Sequence, residues 1–565
     1  MVEICAVGGY DEVGRNCTAV KVGNEVVIFD MGLHLENYIR YTNDEDLVVW
    51  DTRELIKVQA LPDVSAIDDW KDKVVAIVPT HAHLDHLGGV PFLSNRYNAP
   101  IICSPYTAEV LRRIVSDEKL ELKNKLKTLS VNGVYQISKN LKLEFVEITH
   151  STPHTVMAFL HTPEGIVLYA NDFKFDLYPT LGKKPDFERL KKLGDKGILA
   201  CIVDSTYAGE HIKMPSESVA KQMLKDVMLG IESKKKAIIV TTFSSHIARL
   251  KSIMEFGNKL GRKVVFVGRS IQKKVEAAHR LGYIKYSRDQ VISLEQSYDL
   301  PRNKVAYIVS GCYGQVGSSL YRIAEGKHER MEVLEGDMVI FSADPAPPYS
   351  KESEDYVIDK LIDMGVDVHY YDLNEGLYVS GHGGQEDIVE LFNLTRPKYY
   401  IPIGGAVRFM HAYRKLVIRN GGEGKDVFIL KPGDNVDFKG KSASLGQKIS
   451  TKEILVHGLG IGDIGKVVLG DRTILGSEGF VVALIKVGKD RKLKGDPEII
   501  SRGFVFEKIE KALLRDAEKR LRFQIEKNGK VDKKAAQLEA KKYLEKFFFQ
   551  KTGRRPMILP IFVEI

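Results

Sequence analysis

No apolar run in this 565-residue chain approaches the ~20 residues that a membrane-spanning helix needs, so no helical span is expected. The opening stretch MVEICAVGGYDEVGRN places Glu3, Asp11 and Glu12 where a secretory leader carries positive charge and then a long apolar segment. It reads as no leader, and a cytoplasmic protein is expected. Cysteine is sparse: Cys5, Cys17, Cys103, Cys201 and Cys312 are scattered, with no CxxC pair. That spacing excludes a zinc ribbon and a disulfide framework, and leaves buried thiols or surface singletons. Nor does one sign of charge dominate. A net charge of +8 suits a polyanionic partner without by itself pointing to nucleic acid. The balance of 44% hydrophobic and 28% charged residues is that of a globular protein, and the length exceeds one ordinary core, so two to four domains are expected.

Against this plain background, residues 74–89 (VVAIVPTHAHLDHLGG) stand out. Val74–Val78 is a short β-branched run that reads as a buried strand, and Pro79 ends it. His81, His83, Asp85 and His86 follow at once. Three imidazoles and a carboxylate so close together have no packing role, and a cation makes their crowding favourable. The same "apolar run, then His or Asp" recurs. Val26–Phe29 leads to Asp30, Leu141–Ile148 to His150 and His154, and Ile166–Ala170 to Asn171 and Asp172. An α/β scaffold gathers ligands from distant sequence in this way, at the ends of neighbouring strands.

From 209 to 366 helix and strand alternate regularly. Helices are expected over Ser216–Ser233 and His246–Leu260, with strands at Ala237–Val240, Val264–Val267, Val305–Val309 and Met338–Ile340. This reads as an inserted doubly wound α/β domain with a parallel sheet. Its strand ends carry TTFSS (241–245), Gly268–Ser270 and SGCYGQVG (310–317), small residues suited to binding phosphate through backbone N–H groups. Residues 367–435 return to strands with polar ends. Lys439–Lys452 reads as a linker or exposed loop. The tail carries two charged helices, from Glu507 to about Lys527 and from Lys533 to about Phe549, then a strand over Met557–Ile565.

The donors suffice for two zinc sites. His81 and His83 with His150 make one, Asp85 and His86 the other, with Asp172 between them. Two zincs sharing a hydroxide provide a nucleophile at neutral pH and a clamp for charge developing on phosphorus. The implied class is metal-assisted hydrolysis of phosphodiesters.

HAHLDH (81–86) with Asp30, His150 and Asp172 resembles the metallo-β-lactamase superfamily. The inserted domain, DST (204–206) and SGH (380–382) resemble its β-CASP nuclease branch. GGYDEVGRN (8–16), NDFKFD (171–176), VDSTYA (203–208), YVSGHG (378–383), GLGIGDIGKVVLGDR (458–472), IISRGFVF (499–506) and GRRPMILP (553–560) together resemble the ribonuclease J family. The resemblance implies an α/β fold: a metallo-β-lactamase αββα sandwich with an inserted β-CASP α/β domain and a small α+β C-terminal domain. The boundaries expected are 1–208 and 367–446 for the two parts of the sandwich, 209–366 for the insert, 447–475 for a linker and 476–565 for the C-terminal domain.

By position, the resemblance makes His81, His83 and His150 ligands of the first zinc, Asp85 and His86 of the second, and Asp172 the bridge. Asp30 would orient the histidine loop. Asp85, Asp204 and His382 would be catalytic, His382 contacting the scissile phosphate. Phe243, Ser244, Ser245, Tyr378, Val379, Ser380, Gly381 and His382 would bind substrate, favouring a 5′-monophosphate end. One departure is notable. The family's Pro-x-His-Gly-Glu motif, whose His completes the second zinc site, is here Pro402-Ile403-Gly404-Gly405-Ala406. Second-site affinity should therefore fall, unless a water or a histidine such as His154 or, less well placed, His411 fills the vacancy. The function implied is a zinc-dependent ribonuclease, 5′→3′ exonucleolytic and endonucleolytic, acting in RNA processing and decay as a homodimer or homotetramer. A DNA nuclease of the same branch, or a non-catalytic RNA-binding subunit with a degenerate second site, is the alternative.

Overall fold

A computed structural model describes residues 1–42, 51–117, 120–230, 233, 236–344, 350–370, 378–440, 442–446, 456–457, 460–461, 471, 474–504, 507–527 and 533–565. The chain divides into two units, Met1–Lys452 and Glu453–Ile565. Most of the linker expected over 447–475 lies outside the described residues.

In the first unit, among the described residues, the short apolar runs pair into two facing sheets. An eight-stranded sheet runs in the order Ser442–Leu445, Asn435–Lys439, Val2–Gly8, Cys17–Val22, Glu25–Phe29, Val74–Val78, Ile101–Cys103, Leu126–Thr128. A six-stranded sheet runs Tyr399–Ile403, Ile198–Asp204, Gly165–Ala170, Val156–Thr162, Lys142–Glu147, Val134–Gln136. Side chains from both, including Phe29, Val78, Phe145, Tyr169 and Ile401, form one buried core between them. The outer face of the six-stranded sheet packs through Val146, Leu168 and Val203 on the helices Phe187–Asp195, Gln385–Thr395 and Val407–Arg419. The expected αββα sandwich is present. Val74–Val78, next to Glu25–Phe29 in parallel, is buried on both faces, which is why it carries no polar alternation.

The insert holds a five-stranded, wholly parallel sheet in the order Lys263–Val267, Val305–Val309, Ile238–Thr241, Met338–Phe341, Asp367–His369. Helices Leu294–Ser297, Ser319–Ala324 and Lys351–Asp363 share its core on one side. Ile247–Lys259 and Arg269–Arg280 pack against its strands as well. In the second unit, helices Glu507–Glu526 and Lys533–Thr552 pack through Ala517, Leu521, Leu544 and Phe548 on a sheet ordered Glu498–Arg502, Phe480–Val487, Met557–Glu564.

One expectation fails locally. Ser442–Leu445 is not loop but an antiparallel edge strand on Asn435–Lys439, its small residues largely exposed. An edge strand needs no apolar alternation, so the sequence pattern there resembles a loop.

In the eight-stranded sheet the strands before Asp30 and the histidine loop run parallel, and in the six-stranded sheet those that lead to His150 and Asp172 and that ending at Asp204 share one direction. Their ends therefore deliver these residues to one rim of the sandwich.

Candidate metal centre

Asp30 sets the floor of the site. Fully buried and in the left-handed region (φ 57°), it accepts the Thr80 backbone N–H at 2.7 Å and the Thr80 hydroxyl at 3.0 Å. Its other oxygen accepts His86 Nδ1–H at 2.7 Å. The far nitrogen of His86 thus faces the rim, 3.2 Å from both Asp85 Oδ2 and Asp172 Oδ2. His150 is turned in the same manner: Nδ1 donates to the Gly381 carbonyl at 2.7 Å, and Nε2 faces His83 Nδ1 at 3.1 Å and Asp172 Oδ2 at 3.5 Å. His83, which precedes the short helix Leu84–Leu87, has its outer nitrogen held by the Ser151 hydroxyl at 3.1 Å. Buried His81 Nε2 lies 3.4 Å from Asp172 Oδ2 and has no other polar partner. In each of these histidines a hydrogen bond at the outer nitrogen, for His81 between Nδ1 and the Thr80 hydroxyl at 3.3 Å, aims the inner one at the centre.

The donor chemistry fits divalent cations. Donor atoms of His81, His83, His150 and Asp172 lie within 4.8 Å of one another, and so do those of Asp85, His86 and Asp172. Burial, reinforced by neighbouring imidazoles, holds His81, His83 and His150 below the ordinary histidine pKa, so each offers a neutral lone pair. Around His86 burial pushes the other way from its surroundings. There the carboxylates of Asp172, Asp85 and Asp30 win and raise its pKa well above the ordinary value. This is an excess of negative charge that a cation would neutralise in place of the proton. Asp172, itself at φ 59°, belongs to every one of these groups.

Asp204 and His382 stand beside this centre as a pair. Asp204 Oδ2 accepts His382 Nδ1–H at 2.6 Å, while Oδ1 accepts the Thr206 N–H at 2.9 Å and hydroxyl at 2.6 Å. Burial disfavours the imidazolium of His382, but Asp204 and then Asp172 outweigh it and bring its pKa up to about 10. Gly381 must be glycine here: a Cβ would lie 2.9 Å from the His150 ring.

A cavity of about 330 Å³ joins His83, Asp85, His150, Asp172 and His382 to Phe243, Ser244, Ser245, Val379, Ser380 and Gly381. Tyr378 does not line it; its ring sits 6.2 Å from that of Tyr207. His154 is turned away from the metal centre, its ring nitrogens taken by the Tyr106 N–H and the Tyr283 hydroxyl. His411 is exposed on the helix Val407–Arg419. Gly404 sits at φ 74°, its amide bonded to the Gly9 carbonyl at 2.9 Å, and brings no donor.

Sequence reasoning singled out Ser270 with the strand end at 268–270 but missed Lys274 and Asp344, which also line the cavity. Lys274 Nζ donates to Ser244 Oγ at 2.9 Å, and Ser270 Oγ meets the same hydroxyl at 3.1 Å, so a positive charge stands in the hydroxyl-rich part of the cavity. Asp344 accepts the hydroxyls of Tyr207 and Ser380 at 2.8 Å and of Tyr313 at 3.2 Å. Lys274 belongs to an amphipathic helix whose other lysines and arginines look alike in sequence, and no local signal separates it from them.

Comparison with known proteins bears on this geometry. Family models match for the metallo-beta-lactamase superfamily over residues 10–195, the ribonuclease J beta-CASP domain over 235–361 and the ribonuclease J C-terminal domain over 467–565. The chain is 37% identical to ribonuclease J of Methanocaldococcus jannaschii over 450 residues, 78% of this chain and 99% of that one. It is 30% identical to ribonuclease J2 of Bacillus subtilis over 574 residues, 100% of this chain and 99% of the relative. A solved structure of a protein of unknown function from Enterococcus faecalis covers 77% of this chain and 99% of its own with a TM-score of 0.51 at 15% identity, a likeness of fold.

Proposed function

This chain belongs to the ribonuclease J family, and from that premise we propose that it is a zinc-dependent ribonuclease that hydrolyses phosphodiester bonds at the rim of the sandwich. The observation that carries the reading is Asp172 Oδ2. It lies 3.2 to 3.5 Å from the inner nitrogens of His81, His86 and His150, in the cavity that also holds His382. Two divalent cations bound by His81, His83, His150, Asp172, Asp85 and His86 would supply water activation at neutral pH and charge neutralisation at phosphorus.

The chain's own residues do the rest. His382 carries a proton on each nitrogen below about pH 10, one committed to Asp204 and the other free for a phosphate oxygen or the leaving oxygen. Asp204 acts through His382, since both its oxygens are engaged. Lys274 with Ser244 and Ser270 offers the charge and hydroxyls to hold a terminal phosphate, which supports a preference for 5′-monophosphorylated RNA and 5′→3′ exonuclease action. Endonuclease action on the same cavity, a cytoplasmic role in RNA processing and decay, the domain boundaries given above, and a homodimer or homotetramer formed through the C-terminal domain complete the proposal.

Gly404 favours a second reading, an RNA-binding protein without catalysis. Matched single-stranded RNA and DNA of one sequence separate the outcomes. Faster cleavage of RNA is expected. Equal or faster cleavage of DNA would make the chain a DNA nuclease, and RNA bound but left intact would support the second reading.

A further inference from the structure

Asn16 lies at the second of the two donor groups, the one that Gly404 leaves short. Its side chain is 2% exposed, and its backbone N–H donates to the Asp85 carbonyl at 3.0 Å, which pins it against the histidine loop. One end of its amide, Nδ2, donates to the Asp85 carbonyl at 3.1 Å and sits 3.1 Å from His86 Nε2 and 3.3 Å from Asp85 Oδ2. The other end, Oδ1, is buried without a hydrogen-bond partner. A half-turn about the last side-chain bond exchanges the two ends; it gives up the donation to the Asp85 carbonyl and presents an oxygen that a cation beside His86 and Asp85 can bind. In a site that gathers an imidazole nitrogen and two carboxylates, the amide oxygen is a donor to a cation and the NH2 is not.

The spacing suits one coordination sphere. His86 Nε2 lies 3.2 Å from Asp85 Oδ2 and 3.2 Å from Asp172 Oδ2, and the amide position adds edges of 3.1 and 3.3 Å. Neighbouring ligands about 2.1 Å from one cation stand ~3.0 to ~3.4 Å apart for angles from square to tetrahedral. We propose that Asn16 Oδ1 is the fourth protein donor to the cation held by Asp85, His86 and Asp172, supplying the ligand that Gly404 does not. The proposal rests on the reading of the site as a two-cation centre, and cation binding tests it independently of RNA cleavage.

The test is zinc binding to the chelator-stripped full chain, by calorimetric titration and elemental analysis, for the wild type, Asn16→Ala and Asn16→Asp. The wild type should take up two zincs. Asn16→Ala should keep the first and weaken the second by about tenfold or more. Asn16→Asp, with an oxygen at either end, should keep both. If Asn16 instead serves by donating Nδ2–H to Asp85, Asn16→Asp sets carboxylate against carboxylate and loses the second zinc. That loss overturns the proposal. So do an Asn16→Ala protein with two zincs at wild-type affinity and a wild type that binds only one. Should Asn16→Ala fail to fold, the Asn16→Asp protein decides alone. Two zincs bound with no cleavage of RNA would sink the functional reading and leave this one standing.

Discussion

His382 owes its role to Asp204. With the carboxylate removed, the largest of the charges that lift the imidazole pKa goes while Asp172 and burial remain, so Asp204→Asn should bring the His382 pKa down from about 10. A group that must be protonated to act then fails at lower pH. The alkaline limb of the RNA cleavage profile should move to lower pH in Asp204→Asn, while His382→Ala should lower kcat by about 10²–10⁴-fold at all pH values. An unmoved limb in Asp204→Asn would remove Asp204 from the account. Gly381→Ala should act through His150, whose ring the new methyl would displace, and it should reduce zinc affinity more than stability. Single residues were legible in the sequence where their type alone signals chemistry, as in HAHLDH. Asn16 was not, because an asparagine becomes a ligand only through neighbours 69 and 70 positions away. Lys274 likewise depends on Ser244, 30 positions distant.

Among the elements, the helix Ile247–Lys259 is the one whose interior the sequence least disclosed. Its place was readable from its apolar spacing, yet it carries Arg249, 3% exposed, whose guanidinium bonds both oxygens of buried Glu217 at 2.7 and 3.0 Å. A third nitrogen donates to the Ser342 carbonyl at 2.9 Å. The ion pair thus ties two helices of the insert to the loop after the strand Met338–Phe341. Arg249→Met should cost about 3–5 kcal/mol, since it strands a buried carboxylate, and the double variant with Glu217→Met should recover part of that loss. Urea denaturation of the two variants checks this; a single variant as stable as wild type would contradict it. Strand and helix positions followed the apolar pattern to within a few residues. The pattern failed at Ser442–Leu445, where pairing along a sheet edge decides the structure and side-chain burial does not.

For the molecule as a whole, two buried groups near the insert make acid destabilising. Burial holds His246 at about 4 against an ordinary 6.5, so as pH falls the unfolded chain takes up a proton that the folded chain refuses. Stability drops across that window, by on the order of 3 kcal/mol for this one group. Glu217, held at about 2 by Arg249 against its burial, extends the loss from about pH 4.5 downward. The melting temperature of the metal-free chain should fall steadily from pH 7 to pH 4, and a flat profile would contradict this assignment. The overall architecture was largely legible from sequence because each sheet is built from runs that bury the same way and end in the same chemistry. Apart from Asp30, whose hold on the histidine loop the resemblance implied, how the site is wired beneath the ligands was not, because hydrogen bonds such as Ser151 to His83 leave no periodic trace. The account turns on Asp172, and the most direct test restores zinc to the chelator-stripped chain while following cleavage of 5′-monophosphorylated RNA. Cleavage should return in step with zinc binding in the wild type and stay absent in Asp172→Ala. Cleavage that survives chelation, or an Asp172→Ala protein as active as wild type, would contradict the account.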